Sequence, residues 1–283
     1  MARPLRIEYS GALYHVTTRG NDKNHIFIDE ADRQTFFRTL SVAVKRYSWI
    51  CHAYCLMDNH YHLLIETPDA NLSKGMKHLN GVYTQAFNKL HNRVGHVFQG
   101  RYKAVLVEKK CHFLAVARYI VLNPVRAGSV KYPGEWKWSS FNATAGYEAP
   151  ASFLITNFIL SHFGENIKVA CDEYIEFVKA GLNAESIWGK LRGQILLGND
   201  DFTEKFISHL EDHKAIAEIP GVQRHIGRPT PDKLFDRKTL RDKIERNRRI
   251  IEAVDNYGYT QKEIADYLHM HYSTISRIIN ENI

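Results

Sequence analysis

Two runs of strand-forming residues, Trp49 to Met57 and His60 to Thr67, are separated only by Asp58-Asn59. A connection that short cannot cross a sheet, so the second run must return antiparallel beside the first. The hairpin sits in a longer alternation. Tyr14 to Thr18 alternates β-formers ahead of the turn signal Arg19-Gly20-Asn21-Asp22. Asp29 is placed to cap a helix carrying Phe36, Phe37, Leu40, Val44 and Tyr47 at helical spacing. After Pro68, a long helix starting at Asn71 or Ser73 carries Met76, Leu79, Val82, Tyr83, Ala86, Phe87 and Leu90 on one stripe. Arg101 to Glu108 reads as a strand, and Lys110 to about Leu122 as a helix stopped by Asn123-Pro124. The order β-α-β-β-α-β-α predicts an α+β fold, a ferredoxin-like antiparallel sheet with helices on one face.

Residues 131–150 read as an irregular return segment. Short helices are expected at Phe153–Phe163, Ile167–Ala180, Glu185–Leu191 and Asp201–Glu211, and a Pro- and Gly-marked linker over 213–233. Thr239 to about Tyr257 reads as a helix, with two short helices after it. The expected division is an α+β domain over 1–150, an acidic helical region and linker over 151–220, and a helix-turn-helix over 221–283, an all-α tail to the α+β part.

Charge follows the same division. The net +7 resolves into +9 on residues 1–130, −5 on 131–220 and +3 on 221–283. Two basic blocks flanking an acidic one suit contact with a polyanion such as a phosphate backbone. No stretch approaches the ~18 apolar residues a membrane helix needs, so no membrane partner is expected. Cys51, Cys55, Cys111 and Cys171 lack the paired spacing of a secreted framework, and the start carries no apolar signal region. A reduced, cytoplasmic protein is the expectation.

The residues that carry chemistry fall in two places. In His60-Tyr61-His62 the imidazoles stand at i and i+2 of a strand and face the same way, able to share one metal ion. The same pattern also fits two polar residues on a solvated face. Joined by Cys51 and Cys55 it would make a zinc site, although CxxC spacing is lacking. Tyr119 and Asn123 are four apart and share a helix face. Their helix is otherwise apolar (Phe113, Leu114, Val116, Ala117, Ile120, Val121), where a Tyr is ordinarily a core aromatic with a bonded hydroxyl. If the helix crosses the His-bearing face, Asn supplies a ligand oxygen and the Tyr hydroxyl a nucleophile.

His60-Tyr61-His62, followed by Arg118-Tyr119-Ile120-Val121-Leu122-Asn123-Pro124-Val125-Arg126-Ala127-Gly128, closely resembles the single-tyrosine transposases with a His-hydrophobic-His motif. These include the IS200-like and the REP-associated tyrosine transposases. Thr17-Thr18-Arg19-Gly20-Asn21 and Val97-Phe98-Gln99-Gly100-Arg101-Tyr102-Lys103 are similar to the same family, and the likeness covers roughly residues 1–130. Insertion-sequence members commonly carry Gln four residues after the Tyr. Asn123 at that position resembles the REP-associated branch. The resemblance implies a prokaryotic, nucleoid-associated enzyme that cleaves and rejoins single-stranded hairpin DNA. Tyr119 would be the nucleophile, through a 5′-phosphotyrosine intermediate, and His60, His62 and Asn123 the ligands of Mg²⁺ or Mn²⁺. Arg19, Arg101, Lys103, Lys110, Arg118 and Arg126 lie near the motifs as candidate phosphate contacts. A homodimer is compatible with these residues.

Thr260-Gln261-Lys262-Glu263 fits a capping box ahead of Ile264, Ala265 and Leu268, and Tyr272 to Ile279 reads as a second helix. The pattern resembles the helix-turn-helix of replication initiators and repressors, although His269 stands where Gly is common. Tyr272, Ser273, Thr274, Ser276 and Arg277 are the candidate contacts to duplex DNA. A domesticated, non-cleaving regulator acting through this element is the alternative to the enzyme.

Overall fold

The computed structural model describes residues 6–184, 187–211, 223 and 227–280. They divide into two compact units, Arg6–Leu191 with Ile195–Asn199, and Arg192–Gln194 with the chain from Asp200 onward.

In the first unit, β1 (Ala12–Arg19), β2 (Ile50–Met57), β3 (His60–Thr67) and β4 (Lys103–Val107) lie antiparallel in the order β2-β3-β1-β4. This is the expected ferredoxin-like arrangement. Two short strands, β5 (Leu191–Arg192) and β6 (Leu196–Leu197), extend the sheet, and β6 runs parallel to β4.

One face is covered by α1 (Glu30–Arg46) and α2 (Leu72–Leu90). The Asp29 side chain accepts from the Asp32 amide and the Asp32 side chain bonds back to Asp29, so α1 starts where the sequence placed it. Phe36 of α1 meets Tyr61 of β3 at 4.7 Å between ring centres and Tyr83 of α2 at 5.3 Å. On the opposite face, Leu13, Ala53, Cys55, Met57, Leu64 and Val107 pack against Phe113, Val116, Ala117 and Ile120 of α3 (Lys109–Val121). Helices therefore cover both faces, not one. The reason is visible in β2, where every residue after Ile50 is buried, the mark of a strand enclosed on both sides.

The same core continues past residue 150. After α4 (Asn123–Arg126) and α5 (Phe141–Thr144), α7 (Ile167–Ala180) contributes Ala170, Cys171, Tyr174, Ile175 and Val178 to it. The expected boundary at 150 thus falls inside a compact unit. The acidic residues of this stretch had pointed to a separate region, but its apolar stripe is turned inward. The helix expected at Phe153–Phe163 is reduced to α6 (Asn157–Leu160), because Ile155 N–H is tied to the Cys51 carbonyl of β2 at 2.9 Å. Of the helix expected at Glu185–Leu191, residues 187–190 form a 3₁₀ turn, and 185–186 lie outside the described residues.

The second unit holds α8 (Asp200–Glu211), α9 (Pro231–Leu234), α10 (Arg237–Arg241), α11 (Lys243–Asp255), α12 (Gln261–Leu268) and α13 (Tyr272–Asn280). Most of the expected linker at 213–233 lies outside the described residues. The helix expected from Thr239 to Tyr257 is broken at Asp242, whose carboxylate accepts from the Ile244 and Glu245 amides and starts α11 afresh. Leu234, Phe235, Ile250, Ala253, Tyr259, Ile264, Ala265, Ile275, Ile278 and Ile279 form the core of this unit. Among the described residues, no helix is long and apolar enough to cross a membrane.

Candidate active site

The strand register decides what surrounds the His pair. Across β1–β3, Arg19 lies opposite His60 and Thr17 opposite His62, and Thr17 also lies opposite Lys103 of β4. Opposed residues of antiparallel strands share a face. Arg19 and Lys103 therefore gather on the His60/His62 face, and both are exposed. His15, two residues before Thr17, shares that face and sits diagonal to His62. Its Nε2 lies 2.8 Å from His62 Nδ1.

α3 crosses this face and brings Tyr119 with it. The Tyr119 ring stands edge-on to His62 at 6.1 Å and to His15 at 5.9 Å between centres. Trp188 packs edge-on to Tyr119 at 4.9 Å and stacks on His15 at 5.2 Å. Arg126, one turn past the end of α3, lies over the Tyr119 ring, 4.9 Å from guanidinium carbon to ring centre.

The three imidazoles are held neutral. Burial pushes His15 down to about 3. Burial, then His15 and His60, holds His62 well below its ordinary value. His60 is lowered by burial and by Arg19, against an opposing pull from Asp58. Neutral imidazole is the form that binds metals. His60 Nδ1 pairs with Asn59 Oδ1 at 2.7 Å, so it carries the proton and Nε2 is the acceptor. His62 Nε2 is buried with no hydrogen-bond partner among the described residues. Two imidazole nitrogens are thus open to a divalent cation, a donor type that suits Mn²⁺ somewhat better than Mg²⁺. Asn123 Nδ2 donates to the Tyr119 and Ile120 carbonyls at 2.9 and 3.2 Å, which leaves Oδ1 as the atom available to a ligand. Among the described residues, no three His, Cys, Asp or Glu side chains cluster as a metal site. Cys51 and Cys55 are buried free thiols raised by burial, Cys51 to about 12.

The remaining candidate contacts disperse. Arg118 Nη1 donates to the Phe177 carbonyl at 3.2 Å and the guanidinium covers the Phe177 ring, joining α3 to α7. Lys110 is exposed on the first turn of α3, about 13 Å along the helix from Tyr119 at 1.5 Å per residue. Arg101 lines a cavity of about 460 Å³ with Arg6, Lys74, Lys77, Asn80 and Tyr102, beside α2. In the second unit, Thr260 and Glu263 form the expected capping box, and His269 turns the chain with φ of 53°. Tyr272, Ser273 and Arg277 of α13 are exposed, Thr274 and Ser276 half-buried, while Ile275, Ile278 and Ile279 point inward.

His15 and Trp188 were not anticipated from the sequence. His15 had a signal, since it alternates with Thr17 on one strand face, but only the β1–β3 register sets it against His62. Trp188 lies in a stretch that read as an ordinary helix.

Residues 8–123 match the family model described as transposase IS200 like. Residues 241–282 match a family model described as a homeodomain-like domain, of the helix-turn-helix type. Among solved structures, a REP-associated tyrosine transposase bound to a REP hairpin is similar at 16% identity and a TM-score of 0.47, over 55% of this chain and 92% of that one. A Deinococcus radiodurans chain described as a transposase is similar at 18% identity and a TM-score of 0.31, over 42% and 95%. No curated protein matches the chain.

Proposed function

We propose that the chain cleaves and rejoins single-stranded hairpin DNA through Tyr119. The approach of Tyr119 to His62, at 6.1 Å between ring centres and with His62 Nε2 lacking a partner, supports this reading most directly. The Tyr119 hydroxyl attacks a backbone phosphorus in line, and the bond from phosphorus to the 3′ oxygen breaks. The 3′ oxygen leaves and takes a proton as a 3′-hydroxyl, while the 5′ phosphate stays bonded to Tyr119. Another 3′-hydroxyl reverses the step, so no nucleotide is consumed.

A phenol of pKa ~10 is mostly protonated at neutral pH and must lose its proton as it attacks. Arg126 over the ring favours the developing phenolate. His60 and His62, through Nε2, and Asn123, through Oδ1, would hold a divalent cation. The chemistry that Mg²⁺ or Mn²⁺ would supply there is polarisation of the scissile phosphate and an offset to its charge. Arg19 and Lys103, on the same sheet face, are placed to bind flanking phosphates.

The test incubates the full chain with single-stranded hairpin DNA and Mn²⁺ and looks for a covalent adduct on a 5′ phosphate. Wild type forms it and Tyr119→Phe does not. No adduct from wild type, or the same adduct from Tyr119→Phe, overturns the reading. The helix-turn-helix unit favours a second reading, a non-cleaving regulator that binds duplex DNA through Tyr272, Ser273, Thr274, Ser276 and Arg277. Metal-insensitive binding with no cleavage of any hairpin would select it.

A further inference from the structure

We infer that His15 is a positioning residue that fixes the proton of His62 on Nδ1 and so keeps Nε2 bare and aimed at a divalent cation. The inference rests on the metal site proposed above and assigns a role to a residue outside its ligand set.

Three observations carry it. First, the two rings lie in one plane, with an interplanar angle of 2° and 5.1 Å between centres. With Nε2 of His15 only 2.8 Å from Nδ1 of His62, the rings meet edge to edge, as an in-plane N–H···N hydrogen bond requires. Second, His62 Nε2 is the orphan of the pair, buried with no partner among the described residues. A proton placed there would be a buried donor with nothing to accept it, whereas a bare lone pair is a ligand in waiting. Third, His15 is itself fixed. It is 4% exposed, and Trp188 stacks on it at 5.2 Å and 24°. The acceptor therefore cannot swing away when His62 turns toward its ligand.

One consistent assignment follows. His62 Nδ1–H donates to His15 Nε2, and His15 carries its own proton on Nδ1. The reverse assignment would cap Nε2 of His62 with hydrogen and close it to any cation. His60 reaches the same result by a different partner, its Nδ1 paired with Asn59 Oδ1. Both imidazoles are thus oriented from behind, one by a side-chain amide and one by a third imidazole. Outer partners of this kind typically change metal affinity about 10–100-fold when removed.

The test has a readout that needs no activity. Long-range ¹H–¹⁵N spectra of the metal-free full chain report which ring nitrogen of His62 carries the proton, with the signal assigned by its loss in His62→Gln. The expected state is Nδ1–H, and Nε2–H at His62 in wild type overturns the inference. Mn²⁺ binding, followed by its electron paramagnetic resonance signal, supplies the second measurement. His15→Phe keeps an aromatic ring without an acceptor and should weaken Mn²⁺ binding about 10–100-fold, with unchanged circular dichroism. His15→Gln, which returns an oxygen near the Nε2 position, should recover part of the loss. His15→Phe binding Mn²⁺ as tightly as wild type overturns the inference alone. Wild type binding no Mn²⁺ overturns the proposed metal site as well.

Discussion

Arg126 holds its guanidinium carbon 4.9 Å from the centre of the Tyr119 ring. The two are seven residues apart, which keeps them on one face although the helix breaks at Leu122 between them. A fixed cation beside a phenol matters most when the phenol loses its proton. Arg126→Ala should therefore slow single-turnover adduct formation about 100-fold, the scale of a lost transition-state charge contact. Hairpin affinity should fall much less, and Arg126→Lys should keep part of the rate. Equal rates for Arg126→Ala and wild type would remove Arg126 from the reaction.

Glu66, near the far end of β3, links His52 of β2 and Lys109 of α3, with contacts of 2.9 and 2.7 Å. Its pKa is lowered below 4.5, first by the His52 hydrogen bond and then by Lys109, with burial opposing. A carboxylate lowered in the native state adds stability above its unfolded pKa and loses it as pH falls through the native value. In urea titrations Glu66→Gln should be less stable than wild type at pH 7. The gap should close below pH 4.5. A gap that stays constant to pH 3 would show that Glu66 does not link stability to pH.

Gly75 in α2 leaves room for the Trp49 indole. A Cβ there would stand 2.0 Å from Trp49 Cζ2, and the indole is pinned by its Nε1 donating to Asn71 Oδ1 at 2.8 Å. Gly75→Ala should destabilise the first unit by about 1–3 kcal/mol, an overpacking penalty that outweighs the helix propensity of Ala. Denaturant unfolding followed by tryptophan fluorescence measures it, and a stabilised variant would contradict the packing.

His269 carries φ of 53° between α12 and α13, a left-handed position that favours glycine. His269→Gly should stabilise the helix-turn-helix unit by up to about 1 kcal/mol, relieved backbone strain exceeding the added chain entropy. Thermal unfolding of the full chain checks the sign.

Arg277 is exposed on the outer face of α13, away from Ile275 and Ile278. Arg277→Ala should weaken duplex binding and lower its salt slope by about one if it contacts a phosphate. Hairpin cleavage by the first unit should be unchanged. Loss of both activities together would mean that the two DNA contacts are not separable.

Much of this molecule was written in residue order. The hairpin at Asp58-Asn59, the cap at Asp29 and the Thr260/Glu263 capping box depend on residues close in sequence, where local geometry leaves few alternatives. The spacing of His60 with His62 and of Tyr119 with Asn123 likewise follows from strand and helix periods alone. What the chain order could not decide was everything set by packing between distant elements. Helices cover both sheet faces because most of β2 and β3 is buried on both sides, and only α3 folding over the second face brings Tyr119 to the His pair. The register of β1 on β3 sets His15 behind His62 across a separation of 47 residues. Arg118 and Arg126 look equivalent as basic residues of one motif. The position of α7 turns Arg118 into a brace on Phe177 and leaves Arg126 over the tyrosine, a distinction that exists only once the core has closed.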